Sequence, residues 1–207
     1  GTFADSMTTA LQDKDLAMPQ PDHITALDIE DRENLDERRQ KYLRILKERL
    51  GFVPNVIQAY SFDNAKLATF ADFFSELMGA ESGLSRLERE MIAVVVSSIN
   101  RCYYCIVAHA AEVRSLSNDP EMGELLSVNY RVADLTARHR AMLDFAAKMT
   151  ETPHTVEESD RQALRDAGFT DSCIWDIAAV ASFFNMTNRM ASAVDMMPNK
   201  EYHGQAR

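Results

Sequence analysis

Residues 84–109 read LSRLEREMIAVVVSSINRCYYCIVAH. The middle of this stretch, Ile92 to Val96, is rich in β-branched residues and would suit a buried strand. Two features oppose that reading. Ser85-Arg86-Leu87-Glu88 has the form of a capping box, in which a hydroxyl and a carboxylate satisfy the first orphan N–H groups of a helix. Leu87, Met91, Val94 and Val95 also keep helical spacing. The stretch therefore predicts a buried helix that ends at Asn100-Arg101, followed by a second helix starting near Cys102.

Outward from this point the apolar residues recur at three and four almost everywhere from Asn34 onward, which predicts an all-α, multi-helix bundle with about eight helices and no sheet. The first helix spans about Asn34 to Leu50 and is stopped by Gly51 with Pro54 beyond it. The second, about Asn64 to Leu77, aligns Leu67, Phe70, Phe74 and Leu77 on one face. A short fifth helix opens at Asn118-Asp119-Pro120, and a sixth follows Thr136 and ends before Pro153. Thr155 with Glu158 reads as a capping box for a seventh that stops at Gly168. The last begins after Thr170 and extends toward Met197 and Pro198. The polar residues before this region, with Pro19 and Pro21, predict an extended arm over 1–30, mobile or laid over a neighbouring subunit. A single domain over 31–207 carries its core of chemistry at 84–116. Beginning at Gly1 rather than Met, the first few residues read as an expression remnant.

Composition narrows the function. The chain has 207 residues, 46% hydrophobic and 26% charged, with seven Gly and six Pro, which is a globular composition rather than a low-complexity one. Twenty-two Lys and Arg against 32 Asp and Glu give a formal charge of −10, which disfavours nucleic-acid and anionic-lipid partners. The longest unbroken apolar run, Cys102 to Ala108, is far short of the roughly 20 residues that cross a bilayer. With neither an export signal nor a transit peptide in view, the expectation is a cytoplasmic protein. Three cysteines are not a disulfide framework.

Two of those three carry the chemistry. Cys102-Tyr103-Tyr104-Cys105-Ile106-Val107-Ala108-His109 places two thiols and an imidazole at i, i+3 and i+7, which at about 100° per residue fall within about 60° of arc. Both cysteines lie in a first turn, where unpaired N–H groups favour an anion, so their pKa is expected to fall from about 8.5 to between about 3.5 and 7.5. Helical Cβ atoms three apart are about 5–6 Å from each other. A disulfide wants about 3.8 Å, so a closure of about 2 Å in a frayed turn allows dithiol and disulfide to interconvert. His109 supplies a base or proton carrier with an ordinary pKa near about 6.5. Of the two upstream acids, Glu88 has its place in the cap, which leaves Glu90 to complete a relay.

Glu90, eleven residues, Cys102-x-x-Cys105, three residues and His109 resemble the signature of alkyl hydroperoxidase D-like proteins within the carboxymuconolactone decarboxylase family. The specific match covers Leu84 to Arg114, and Phe183 to Ala191 is more loosely similar to the peroxidase-related branch. The resemblance implies an alkyl hydroperoxidase D-like helical fold and a thiol peroxidase acting on hydrogen peroxide or organic hydroperoxides. It implies that Cys105 is the peroxidatic thiol, Cys102 the resolving thiol and proton donor, and Glu90 and His109 the proton relay. It implies no haem, flavin or metal cofactor, an external thiol reductant as partner, and a homo-oligomer, trimer or hexamer. One residue departs from the pattern: Tyr104 stands where well-described members have a histidine before the second cysteine.

Other readings of the same residues stay open at this level. Cys102, Cys105, His109 and Glu90 would also suit a zinc site in a binding or redox-sensing scaffold, and a family-type lyase would not need the thiols. Cys173 reads as a buried small hydrophobe, and His23, His139, His154 and His203 as solvated. Tyr103 and Tyr104 either line a channel or pack. Asn185, Asn188 and Arg189 interrupt the last helix and read as a buried hydrogen-bond cluster or a subunit contact.

Overall fold

A computed structural model describes residues 19–207 of the chain. Among the described residues there are nine α-helices and no strand. They are α1 (Glu37–Leu50), α2 (Asn55–Tyr60), α3 (Asn64–Gly79), α4 (Arg86–Ile99), α5 (Tyr103–Ser117), α6 (Pro120–Asn129), α7 (Ala137–Glu151), α8 (Glu158–Asp166) and α9 (Asp171–Ala193). Short 3₁₀ turns occupy Tyr130–Val132, Pro153–Thr155 and Lys200–His203.

The β-branched run sits in the middle of this bundle, as part of α4. Ser85 Oγ accepts the Glu88 N–H and the Glu88 carboxylate accepts the Ser85 N–H, so both halves of the capping box form. Met91 to Val96 are each 0% exposed, with α5, α6, α7 and α9 packed around them. A helix covered on every side needs no polar face. Burial of each aliphatic side chain, at about 1.5–3 kcal/mol, outweighs the few tenths of a kcal/mol by which valine disfavours a helix.

Polar caps mark most of the other boundaries. Asp36, Asp63, Asp119, Thr136 and Thr170 accept the first free N–H groups of α1, α3, α6, α7 and α9. Gly51 closes α1 in the left-handed region at φ 84°. Gly83, between α3 and α4, allows a close approach, since a Cβ there would lie 2.3 Å from Cys173 Sγ.

The structure departs from the sequence reading in four places. Residues 55–60 form α2 immediately behind Pro54, where the stop pattern suggested only a loop. The cap of α8 pairs Glu157 with Asp160, and Thr155 belongs to the preceding 3₁₀ turn. Helix α9 ends at Ala193, because Asp195 adopts a left-handed φ of 50° and turns the chain. The expected arm lies outside the described residues up to 18, and its remainder runs along the C-terminal end of this same chain. There the Ala26 N–H donates to the Val194 carbonyl, the Met197 N–H to the Ile24 carbonyl, and His23 Nε2 stands 2.8 Å from Asp195 Oδ2.

Candidate active site

The site is built at the elbow between α4 and α5. Asn100 closes α4, and Arg101 adopts a left-handed φ of 54°, which costs a residue with a Cβ about 1–2 kcal/mol. Backbone bonds hold the turn: the Arg101 N–H donates to the Ser98 carbonyl at 3.0 Å and the Cys102 N–H to the Ser97 carbonyl at 2.9 Å. The elbow delivers Cys102 as the N-cap of α5 and Cys105 as its third residue. Both thiols are free and buried, 2% and 4% exposed.

The two sulfurs interact with each other, and their pKa values part. The Cys105 thiol, aided by the charge on His109 and by Asn188 and opposed by burial, lowers the Cys102 pKa to about 7. Cys105 moves the other way, pushed well above the usual thiol range by Cys102 and by burial. The sequence-based expectation that both pKa values fall is corrected on this point. When one of two interacting thiols ionises, the other loses its proton only against that charge, so the two pKa values move in opposite directions. Cys105, which the resemblance makes peroxidatic, is thus the thiol whose pKa is raised and Cys102 the one whose pKa is lowered.

Glu90 and His109 come together across α4 and α5, with His109 Nδ1 2.6 Å from Glu90 Oε2. Burial works against the imidazolium, but the Glu90 carboxylate outweighs it and the His109 pKa is raised. The ring rests edge-on against Phe184 at 4.6 Å. Glu88, two residues before Glu90, has a different set of partners, the Ser85 cap and the Arg138 guanidinium at 2.7 Å. His109 acts on Cys102 through its charge.

The two tyrosines of the motif separate. Tyr104 is buried in the same apolar cluster as the cysteines, and its phenol oxygen accepts the Val56 N–H at 3.0 Å. Burial pushes the Tyr104 pKa up, so the residue replacing the family histidine is a neutral packing group and not a second base. Tyr103 faces solvent and reaches Gln20 and His203, each at 3.3 Å. A cleft of about 370 Å³ includes Phe52 and Tyr202, which border the cysteine cluster, together with Leu50 and Glu112. Among the described residues no group of three or more His, Cys, Asp or Glu side chains is placed to hold a metal ion, so no zinc donor set is assembled.

Sequence reasoning set aside Asn188 as part of a structural cluster. The cluster exists, linking Asn100, Asn185, Asn188 and Ser97, and Asn188 and Ser97 also act to lower the Cys105 pKa against burial and Cys102. The available signal was two amides breaking the apolar face of α9 within the stretch that resembles the peroxidase-related branch.

The carboxymuconolactone decarboxylase family matches this chain over residues 65–148. A peroxidase-related protein from Silicibacter sp. TM1040 is 59% identical, with 92% of this chain and 100% of that one covered at a TM-score of 0.88. A protein from Ralstonia eutropha JMP134, described as an alkylhydroperoxidase AhpD core and peroxidase-related, is 38% identical, with 89% and 97% covered and a TM-score of 0.85. The debrominase Bmp8, 18% identical with 90% and 97% covered and a TM-score of 0.70, shares the fold. No curated protein matches. Among the described residues no helix is long and apolar enough to cross a membrane. The chain belongs to the carboxymuconolactone decarboxylase family, with the fold of its alkylhydroperoxidase D-like, peroxidase-related members.

Proposed function

We propose that the protein is a thiol-dependent peroxidase that reduces hydrogen peroxide or organic hydroperoxides through Cys102 and Cys105. One observation carries this reading: two free, buried thiols at the start of α5, one of them with a lowered pKa, accompany an ion-paired Glu90–His109 couple. The peroxidase-related relatives support it.

In the resting pair Cys102 holds the charge and Cys105 the proton. Transfer of that proton to Cys102 leaves the thiolate on Cys105, which attacks one peroxide oxygen. The S–O bond forms as the O–O bond breaks, and the departing oxygen leaves as water or an alcohol with a proton from the Cys102–His109 side. Cys105 is then a sulfenic acid. Cys102, deprotonated again, attacks that sulfur and displaces the hydroxyl, which leaves as water with a proton from His109. The two thiols have supplied two electrons and become a disulfide. An external dithiol reduces it by exchange. Glu90 keeps the imidazolium charged and oriented, a role worth about 10²- to 10⁴-fold in such proton transfers.

The proposal includes assembly of several copies, and exposed Trp175, Met186 and Met190 on α9 offer apolar surface for it. Peroxide consumption in the presence of a small dithiol tests the reading. Wild type is expected to turn over hydrogen peroxide or cumene hydroperoxide, and Cys105→Ser to lose this entirely. Equal consumption by wild type and by both cysteine variants would overturn it.

A further inference from the structure

Both thiols are closed off from solvent, so a peroxide carrying an organic group needs a way in that the chemistry above does not name. The cleft of about 370 Å³ lies on the side of the proton relay. Its volume falls within the range of small-molecule sites, about 300–1,000 Å³. On α5 the cleft reaches Glu112, seven residues past Cys105. Seven helical residues span about 10 Å along the axis and return to within about 20° of the starting direction, so Glu112 and Cys105 share a face. Ala108 and His109 lie between them on that face, a methyl group and the ring of the relay.

Two residues belong both to the cleft and to the apolar cluster that holds the cysteines, Phe52 and Tyr202. Their rings meet edge to face at 5.1 Å, and Tyr202 is the buried one of the two. The backbone of Tyr202 is pinned. Arg114, itself buried, donates from Nη2 to the Tyr202 carbonyl at 2.9 Å and from Nε to the Gln205 carbonyl at 3.0 Å. Asn199 Nδ2 donates to the Val53 carbonyl at 3.0 Å. The 3₁₀ turn that carries Tyr202 is thereby tied to α5 on one side and to the chain before α2 on the other. The wall of the cleft is apolar at Leu50, Phe52 and Tyr202. Glu112 accepts from Gln205 Nε2 at 3.0 Å, and Arg49 and Glu201 carry opposite charges, so no surplus of positive charge awaits a carboxylate or a phosphate.

We propose that this cleft binds the apolar body of an uncharged organic hydroperoxide, and that Tyr202 is the specificity-determining residue, its ring closing the passage from the cleft to the thiols until such a ligand displaces it. This deepens the peroxidase reading and rests on the thiol pair as the reacting group. With its backbone held, Tyr202 opens the passage by a change of side-chain rotamer alone. Hydrogen peroxide has no apolar body and gains nothing from Leu50 and Phe52, so the cleft favours the organic substrate over it.

The test labels the reduced protein with iodoacetamide, which is small, and with N-phenylmaleimide, an uncharged aryl reagent, and reads Cys102 and Cys105 peptide by peptide by mass. Both reagents need the thiolate, so the ratio of their rates cancels any change in thiol ionisation. Cys173, in the other core cluster, is the internal control. Tyr202→Ala is expected to raise the N-phenylmaleimide rate relative to iodoacetamide by about 10- to 100-fold, the gain from removing one buried ring that the open state no longer has to displace. Cys173 is expected to keep its wild-type rate. Cumyl alcohol, the product of cumene hydroperoxide reduction, is expected to protect the wild-type pair from N-phenylmaleimide, and Leu50→Trp, which fills the cleft from a half-exposed position, to abolish that protection. An unchanged ratio in Tyr202→Ala, an equal rise at Cys173, no protection in wild type, or protection that survives Leu50→Trp overturns the proposal. The cumyl alcohol measurements alone decide if the alanine variant does not fold. Should wild type consume no peroxide while the ratio shifts and the alcohol protects, the peroxidase reading fails and the gated apolar cleft stands; peroxide consumption without either effect does the reverse.

Discussion

Glu90→Gln preserves the shape of a nearly buried side chain and removes its charge. His109 Nδ1 lies 2.6 Å from Glu90 Oε2, with the two side chains 13% and 10% exposed. At that spacing and an effective dielectric of about 20 the attraction is about 6 kcal/mol before desolvation, and a hydrogen bond to a charged group nets about 1.5–3 kcal/mol. The larger figure is cut down because burial opposes the imidazolium, which leaves about 2–3 kcal/mol. The pH dependence follows from the raised His109 pKa. Its contribution is complete below the unfolded value of about 6.5 and is lost as pH rises through the folded value. Glu90→Gln is therefore expected to lose about 2–3 kcal/mol of unfolding free energy at pH about 6 and less than about 1 at pH about 9. Urea unfolding followed by circular dichroism at the two pH values measures both numbers. Equal losses at the two pH values, or none at the lower one, would refute the charged pair. The same variant is expected to slow peroxide reduction by about 10²- to 10⁴-fold.

The thiol pair makes its own prediction. Cys105→Ala removes the main group that lowers the Cys102 pKa, so the alkylation profile of Cys102 is expected to move upward from about 7, and an unmoved profile would separate the two sulfurs. In the core, Ile92→Ala at a fully buried position is expected to cost about 2–5 kcal/mol in urea unfolding, and a loss below about 1 kcal/mol would place α4 at the surface. Gly83→Ala sets a new Cβ 2.3 Å from Cys173 Sγ, with an expected loss of about 1–3 kcal/mol. Adding Cys173→Ala is expected to restore most of that stability, and a double variant no more stable than Gly83→Ala would contradict the contact.

The helices were legible wherever a cap and an apolar period agreed. At α4 the local preference of Val94 to Val96 pointed to a strand, and the Ser85–Glu88 box together with the helical spacing of Leu87 and Met91 pointed the other way. The structure follows the cap because α4 is surrounded by other helices and packs every face. Helix α2 escaped notice because its six residues are too short to show a period, with only Ile57 buried. The end of α9 was misplaced because apolar residues continue through Met196 and Met197, while the break depends on the backbone of Asp195 and on the pairing of 194–197 with residues 24–26. Within the site, the separation of Glu88 from Glu90 could be read from the cap and the spacing. The opposite pKa shifts of Cys102 and Cys105 could not, because they depend on how each thiol acts on the other and on Asn188, which belongs to a helix more than eighty residues away in sequence.

The central claim is that Cys102 and Cys105 form one redox couple driven by peroxide. The most direct measurement is the mass of the intact, fully reduced protein after one equivalent of hydrogen peroxide, followed by peptide mapping without reductant. The account predicts the loss of two hydrogens and a Cys102–Cys105 linked peptide in wild type, with no such peptide from Cys102→Ser or Cys105→Ser. Peroxide-treated wild type in which both thiols stay free and alkylatable would contradict it.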